Sequence, residues 1–209
     1  MQILPGTPTR KNNMTHSDFG QDVYIRDRFF RGSKSGCCLE AGAQDGESHS
    51  NTLLFEEEHE WDRILIEPDP KHMQVLKTRK NGRKYCAPLW DVTGDTVVMN
   101  DINKNGWTHI DKYGPKNVEI VHQWNAVTIG INDVLPQYTD LVSLDTEGSE
   151  HVIVGAIDFS RFKIAVFLIE AKESREYIGK ILKREGYIFY NTIKHDVIYY
   201  DPKLIQPKG

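Results

Sequence analysis

Four short apolar runs recur along the chain, and each carries an acid at or near its end: CCLEA with Glu40, RILIE with Glu67, LVSLD with Asp145 and KIAVFLIE with Glu170. Between them lie stretches with helical patterning, including SNTLLFEEEHE, PKHMQVLKTRK and SREYIGKILKRE. Strands that are apolar throughout are covered on both faces, and alternation with helices is the pattern of a parallel sheet. The expected fold is therefore α/β, with a mostly parallel sheet, helices on both faces and an antiparallel hairpin at one edge, from YIFYNTI and DVIYYD. Such sheets bind ligands beyond the carboxyl ends of their strands. Four acids on that rim point to a site, because buried acids are rare without partners.

The remaining elements follow from local signals. Ser17 to Phe30 reads as an amphipathic helix capped by Ser17 or Asp18, and Ser48 to Glu60 as a second helix. Pro70 opens a third helix and Gly82 stops it. KYCAPLW reads as a third strand. TVVMN and EIVHQWNAVTI read as an antiparallel excursion around the loop NKNGWTHIDKYG.

With 209 residues, residues 1–209 are expected to form a single domain, with 1–16 a flexible lead. The net charge of −4 gives no general pull towards nucleic acid or an anionic membrane. The basic cluster Lys77 to Lys84 reads as the polar end of a helix and a turn. Three cysteines without CxxC spacing indicate neither a disulfide framework nor a zinc site, and Cys37 and Cys38 should face opposite sides of one strand. MQILPGTPTRKNN holds no apolar run of signal-peptide or membrane-span length, so the sequon at Asn13 carries little weight and the chain as given reads as cytoplasmic. Oligomeric state is not legible.

The loop after the first strand narrows the ligand. The dinucleotide fingerprint G-x-G-x-x-G brings backbone N–H groups to a pyrophosphate. Here the pattern is Glu40-x-Gly42-x-x-x-Gly46, and Asp45 adds a second negative charge. A pyrophosphate would be repelled, whereas S-adenosylmethionine carries a sulfonium, an ammonium and no phosphate. Glu67 follows about 20 residues on, at the end of the next strand, where an acid takes the ribose hydroxyls of an adenosine.

The blocks SDFGQD, LEAGAQDGESHSNTLLFE, LIEPDP and SLDTEGSEHVIVGAIDF, followed by LIE, resemble the FkbM-type methyltransferase family, in that family's order from Ser17 to Glu170. The resemblance implies a Rossmann-like class I methyltransferase fold and methyl transfer from S-adenosylmethionine to a hydroxyl of a small molecule or carbohydrate. Asp18 stands where the family has an amide, Glu40 replaces the commoner aspartate and Gln44 the commoner asparagine. Carried over by position, Gln21 and Asp22 would close over the cofactor. Glu40, Gly42, Asp45 and Gly46 would lie under its methionine part. Ser50 and Asn51 would take its carboxylate or else cap the helix. Glu67 and Pro68 would meet the ribose, and Ala87 to Leu89 the adenine.

An alcohol needs its proton removed before it attacks a sulfonium methyl, and a placed base contributes about 10²–10⁴-fold. Asp145 and Glu147 in DTEG are the catalytic candidates. Asp145, Glu147 and Glu170 together would also suit a hard cation such as Mg²⁺. Alternatively Asp145 contacts the cofactor's ammonium and Glu147 orients the acceptor. His151 is a further candidate base. Trp107 and His109 lie in a loop, Lys104 to Lys116, of the kind that faces substrates. Two other readings remain open: a cofactor-binding module without catalysis, and a nicotinamide-dependent oxidoreductase, which the loop acids disfavour. The N-P-P-Y/F motif used on flipped bases is absent, which argues against nucleic-acid methylation.

Overall fold

The computed structural model describes residues 15–77, 82–102 and 107–208. Residues 1–14, the middle of the basic cluster (78–81) and the tip of the excursion loop (103–106) lie outside the described residues, as do most of the expected flexible lead and the sequon asparagine.

Strands run in chain order as β1 (Cys37–Ala41), β2 (Asp62–Ile66), β3 (Arg83–Tyr85), β4 (Leu89–Trp90), β5 (Thr96–Asp101), β6 (Thr108–Ile110), β7 (His122–Val127), β8 (Ile129–Gly130), β9 (Tyr138–Leu144), β10 (Lys163–Glu170), β11 (Ile188–Ile193) and β12 (Asp196–Tyr200). The α-helices are α1 (Gln21–Ile25), α2 (Leu53–His59), α3 (Pro70–Leu76), α4 (Ile131–Val134), α5 (Glu150–Ala156) and α6 (Arg175–Arg184). The main sheet has the order β11-β12-β10-β9-β1-β2-β3. β12 pairs antiparallel with both of its neighbours, and the β10-β9-β1-β2-β3 ladders are parallel. β1 lies between β2 and β9, so the strand order reverses there and a crevice opens beyond its carboxyl end.

Alternation along the strands builds two cores. Leu39, Ile64, Val142 and Phe167 face α4, α5 and α6. Cys38, Leu141, Val166 and Leu168 face Phe29, Phe30, Phe55 and Trp61. Cys37 packs against the first core and Cys38 lies in the second, the opposed placement expected of neighbours on a strand.

Several expected boundaries move. The first helix starts at Gln21, not Ser17, behind a left-handed Gly20 (φ 77°), and passes into a π-helical turn over Arg26–Phe30. Ser17 is not its N-cap, yet its Oγ accepts the Asp22 N–H at 3.2 Å. The second helix starts at Leu53 rather than Ser48, because Ser50 Oγ accepts the Leu53 N–H at 3.0 Å and that of Thr52 at 3.3 Å. The third expected strand divides around Pro88 into β3, in the main sheet, and β4, which pairs parallel with β8. Together β4 and β8 form the neck of an insertion whose body is the antiparallel sheet β6-β5-β7.

Candidate active site

The crevice is set by backbone contacts between strand ends. Gly42 N–H donates to Ile66 O at 3.0 Å, Asp145 N–H to Ala41 O at 3.1 Å, and Glu67 N–H to Tyr85 O at 3.0 Å. Gly42 has φ 80°, and a Cβ there would lie 1.8 Å from the Asp145 carbonyl oxygen. Glycine is therefore obligatory, for its backbone conformation and for space.

On the β1 side, every nominated acid is engaged. Glu40 is buried, and its carboxylate accepts from Ser50 Oγ (2.8 Å), Asn51 N–H (2.6 Å), Thr52 Oγ1 (2.6 Å) and Arg63 Nη2 (2.9 Å). The Arg63 guanidinium, fully enclosed, also reaches Glu56 at 2.7 Å, Thr52 and Ser50 at 2.9 Å, and the Gly46 carbonyl at 3.5 Å. Glu40 thus does not offer a free charge beneath a cofactor; it fixes the loop, with Arg63 as its counter-ion. Asp45 turns onto its own turn, accepting from Glu47 N–H, Ser48 N–H and Ser48 Oγ at 2.8–2.9 Å. Against the effect of burial, these bonds hold its carboxyl below the usual value.

Asn51 Nδ2 donates to Ser143 Oγ at 3.1 Å, and its Oδ1 is buried without a partner. Glu67, also buried, accepts the N–H groups of Gln44 and Asp69, each at 2.8 Å. Asp22 has a different place from the one expected: it is enclosed, and accepts from Thr15 Oγ1, His16 N–H, Ser17 Oγ and Val23 N–H at 2.6–2.8 Å. Its carboxylate ties the approach to α1. Gln21 does reach the rim, where its Nε2 donates to Asp196 at 2.6 Å.

The β9–β10 side is different. Asp145 Oδ1 is buried and, among the described residues, has no hydrogen-bond partner. Burial, then the charges of Glu170, Glu147, Glu150 and Asp196, raise the Asp145 carboxyl well above its ordinary value. Burial and Glu170 also raise Glu147, against the opposing pull of Lys172. The acids converging within 4.8 Å are Asp145, Glu150 and Glu170, not Asp145, Glu147 and Glu170 as the sequence suggested. Glu150 spends its oxygens on the Thr146 and Gly148 N–H groups and Thr146 Oγ1, which shapes the DTEG turn. Glu147 sits in that turn with φ 55° and faces Lys172. Lys172 Nζ lies 2.7 Å from Glu170 Oε1 and 3.3 Å from Glu147 Oε2, and 5.9 Å from the centre of the Trp107 ring. A cation therefore already lies between two of the three acids proposed to hold a metal, and it belongs to the chain.

Trp107 is 49% exposed beside Lys172. His109 is buried with Nδ1 unpartnered, and burial lowers its pKa. A Cβ on Gly114 would overlap its ring, so His109 is packed in rather than presented. His151 packs edge-on against Tyr113 and Tyr177.

Two adjoining hollows fill the crevice. One runs from Glu40 and Gly42 past Ser50 and Asn51 to Asp145. The other is lined by Gly42, Ile66, Pro68, Pro88 and Leu89 from the sheet side, and by Met99, Thr108 and Ile110 from the insertion. Ala87 does not line it; its successors Pro88 and Leu89 do. Sequence reasoning missed Arg63, Lys172, Asp196 and, in the insertion, Met99. Arg63 was legible in principle, as a basic residue opening the buried run RILI, and Lys172 as the cation two positions beyond Glu170.

Among the described residues no helix is long and apolar enough to cross a membrane. No curated protein matches the chain in sequence. The crystal structure of Methyltransferase FkbM from Methylobacillus flagellatus KT aligns with a TM-score of 0.53 at 17% identity, over 81% of this chain and 44% of that one. The chain thus spans less than half the length of that protein. Precorrin-6y C5,15-methyltransferase from Geobacter metallireducens GS-15 aligns at 0.50 and 12% identity, over 92% and 93% of the two chains. At these identities the likeness is one of fold, the class I methyltransferase sheet. A family model described as the Methyltransferase FkbM domain matches residues 40–189, from the acid of β1 into β11. The chain therefore belongs to the FkbM methyltransferase family.

Proposed function

We propose that the protein is an S-adenosylmethionine-dependent O-methyltransferase acting on a hydroxyl of a small molecule or carbohydrate. The observation that carries this reading is the Asp145 Oδ1 at the strand reversal, buried, without a hydrogen-bond partner among the described residues, and surrounded by acids. An acid so placed lacks a positive partner, and the ammonium of a methionine moiety would supply one. Family membership and the class I sheet support the same cofactor.

The donor set fits. Asn51 Oδ1, also buried and unpartnered, and Asp145 would take the ammonium in the first hollow. Glu67 keeps two backbone N–H groups on its carboxylate and would accept ribose hydroxyls with its remaining lone pairs. Pro68, Pro88 and Leu89 would pack on the adenosine. Once bound, the cofactor would supply the methyl group on a sulfonium. The protein's share is alignment and proton handling. Glu147 is the assigned base for the acceptor hydroxyl, its carboxylate held at the mouth by Lys172. Trp107 would offer the acceptor a flat apolar face.

The test is calorimetric titration with S-adenosylmethionine and S-adenosylhomocysteine. Binding to wild type that Asp145→Asn and Glu67→Ala each weaken supports the reading. A wild-type chain that binds neither compound would refute it. Acceptor class would then be tested by screening small hydroxyl compounds and glycans for methyl uptake.

A further inference from the structure

The insertion between β3 and β9 is expected, on its pattern, to be an excursion carrying a substrate loop. Its inner face does something more specific. Met99 on β5 and Ile110 on β6 are directly paired across the ladder, both are buried, and both line the second hollow with Thr108. Ile66, Pro68, Pro88 and Leu89 line the same hollow, and Gly42, Asp145 and Thr146 complete it. The result is a slot lined largely by apolar side chains from the insertion and from the strand ends. A flat apolar ring suits such a slot, and a methionine thioether packs well on aromatic faces.

The roof is held firmly. The insertion leaves through β4 and returns through β8, and those two strands pair with each other. Thr128 Oγ1 donates to Val92 O at 2.7 Å and accepts the Asp95 N–H at 3.1 Å, while Thr93 Oγ1 accepts the Gly130 N–H at 2.7 Å. Asn100 bridges the sheet, donating to Asp111 at 2.7 Å and accepting from Gln123 at 2.8 Å. A sheet tied at its neck and across its strands presents Met99 and Ile110 at a fixed height.

We infer that the inserted sheet is part of the cofactor site, with Met99 and Ile110 forming the upper wall of the adenine slot. The inference rests on the cofactor reading given above. It assigns to the insertion a role in holding the purine that is separate from any contact with the acceptor.

The experiment uses the four methionines as reporters, with ¹³C-methyl labelling and Met99→Leu to assign the Met99 signal. Addition of S-adenosylhomocysteine, and of adenosine alone, should shift the Met99 methyl and give an Overhauser contact to the purine protons. Met99→Ala and Ile110→Ala should each weaken S-adenosylhomocysteine by about 10-fold or more, as expected for lost packing in an apolar pocket. Val98→Ser, on the outward face of the same strand where Val98 is 36% exposed, should leave that affinity unchanged. Binding of S-adenosylhomocysteine without movement of the Met99 methyl would overturn the inference and leave the cofactor reading standing. Failure of wild type to bind either nucleoside would overturn both.

Discussion

On the β1 side of the crevice the buried acid Glu40 meets four donors, one of them the enclosed guanidinium of Arg63. On the β9–β10 side, the charges of Glu147, Glu150, Glu170 and Asp196 bear on Asp145, Lys172 pairs with Glu147 and Glu170, and an Asp145 oxygen has no hydrogen-bond partner among the described residues. Both rims looked alike in sequence, each a strand ending in acid. The first is electrostatically complete and serves as scaffold. The second is incomplete, and an incomplete buried charge set is where a ligand's charge has the most to contribute.

The largest effect should come from breaking the complete side. Arg63→Met leaves the buried Glu40 carboxylate without its guanidinium and should cost about 3–5 kcal/mol of stability in urea unfolding. Adding Glu40→Gln should recover much of that loss. If the single variant were as stable as wild type, Glu40 would not depend on Arg63 and the contrast between the rims would fail.

On the incomplete side, Glu147→Gln should lower kcat by about 10²–10⁴-fold, the usual contribution of a placed base. Its affinity for S-adenosylhomocysteine should match wild type. Turnover that survives would remove Glu147 from the chemistry.

Next comes the pH dependence of stability. Burial raises Asp145, Glu147 and Glu150, and like charges add to it at Asp145 and Glu147, so the folded chain retains protons that the unfolded chain has already released. Stability contributed by these groups therefore falls as pH rises from near 4, the ordinary carboxyl value, through their raised folded values. Asp145→Asn should flatten that decline, measured as urea midpoints across pH. An unchanged slope would mean that Asp145 already has a compensating partner.

Smaller effects are expected at the mouth. Lys172→Met removes the ammonium that opposes the upward shift of Glu147, so the acidic limb of the pH–rate profile should move to higher pH. Lys172→Arg should restore it in part. Smallest of all, chelation with EDTA should leave turnover unchanged, since the chain's own cation serves Glu147 and Glu170. Loss of activity that Mg²⁺ restores would return the metal reading to the Asp145, Glu150 and Glu170 cluster.

The legible part of the fold is the part set by local pattern. Apolar runs gave the parallel strands, and Gly186 and the two tyrosine-rich runs gave α6 and the closing hairpin. Boundaries moved where a side chain chose a different backbone partner, as Ser50 did in starting α2 at Leu53. The site was less legible, because its chemistry depends on register. Nothing in the residues around Cys38 announces that Arg63 will be its neighbour in the ladder, yet that pairing carries the guanidinium to Glu40. Asp22 was expected to close over the cofactor, and nothing local in the sequence shows that the fold of residues 15–23 buries it among four donors. The end of β9 was readable as a site, and Lys172 as a cation close behind Glu170; that it would also reach Glu147, from the loop after β10, depends on how the two strand ends lie side by side.

The neck of the insertion has a consequence for how this chain can vary. Leu89 and Ile129 are ladder partners, so the inserted sheet begins and ends at nearly the same point in space. Such a segment behaves as a cassette. Its length and inner surface can be rewritten without altering the spacing of the main-sheet strands, because a change in loop length adds little closure entropy once the two ends are tied together. The part of the molecule that roofs the pocket is therefore also the part that can be exchanged at least cost to the fold beneath it.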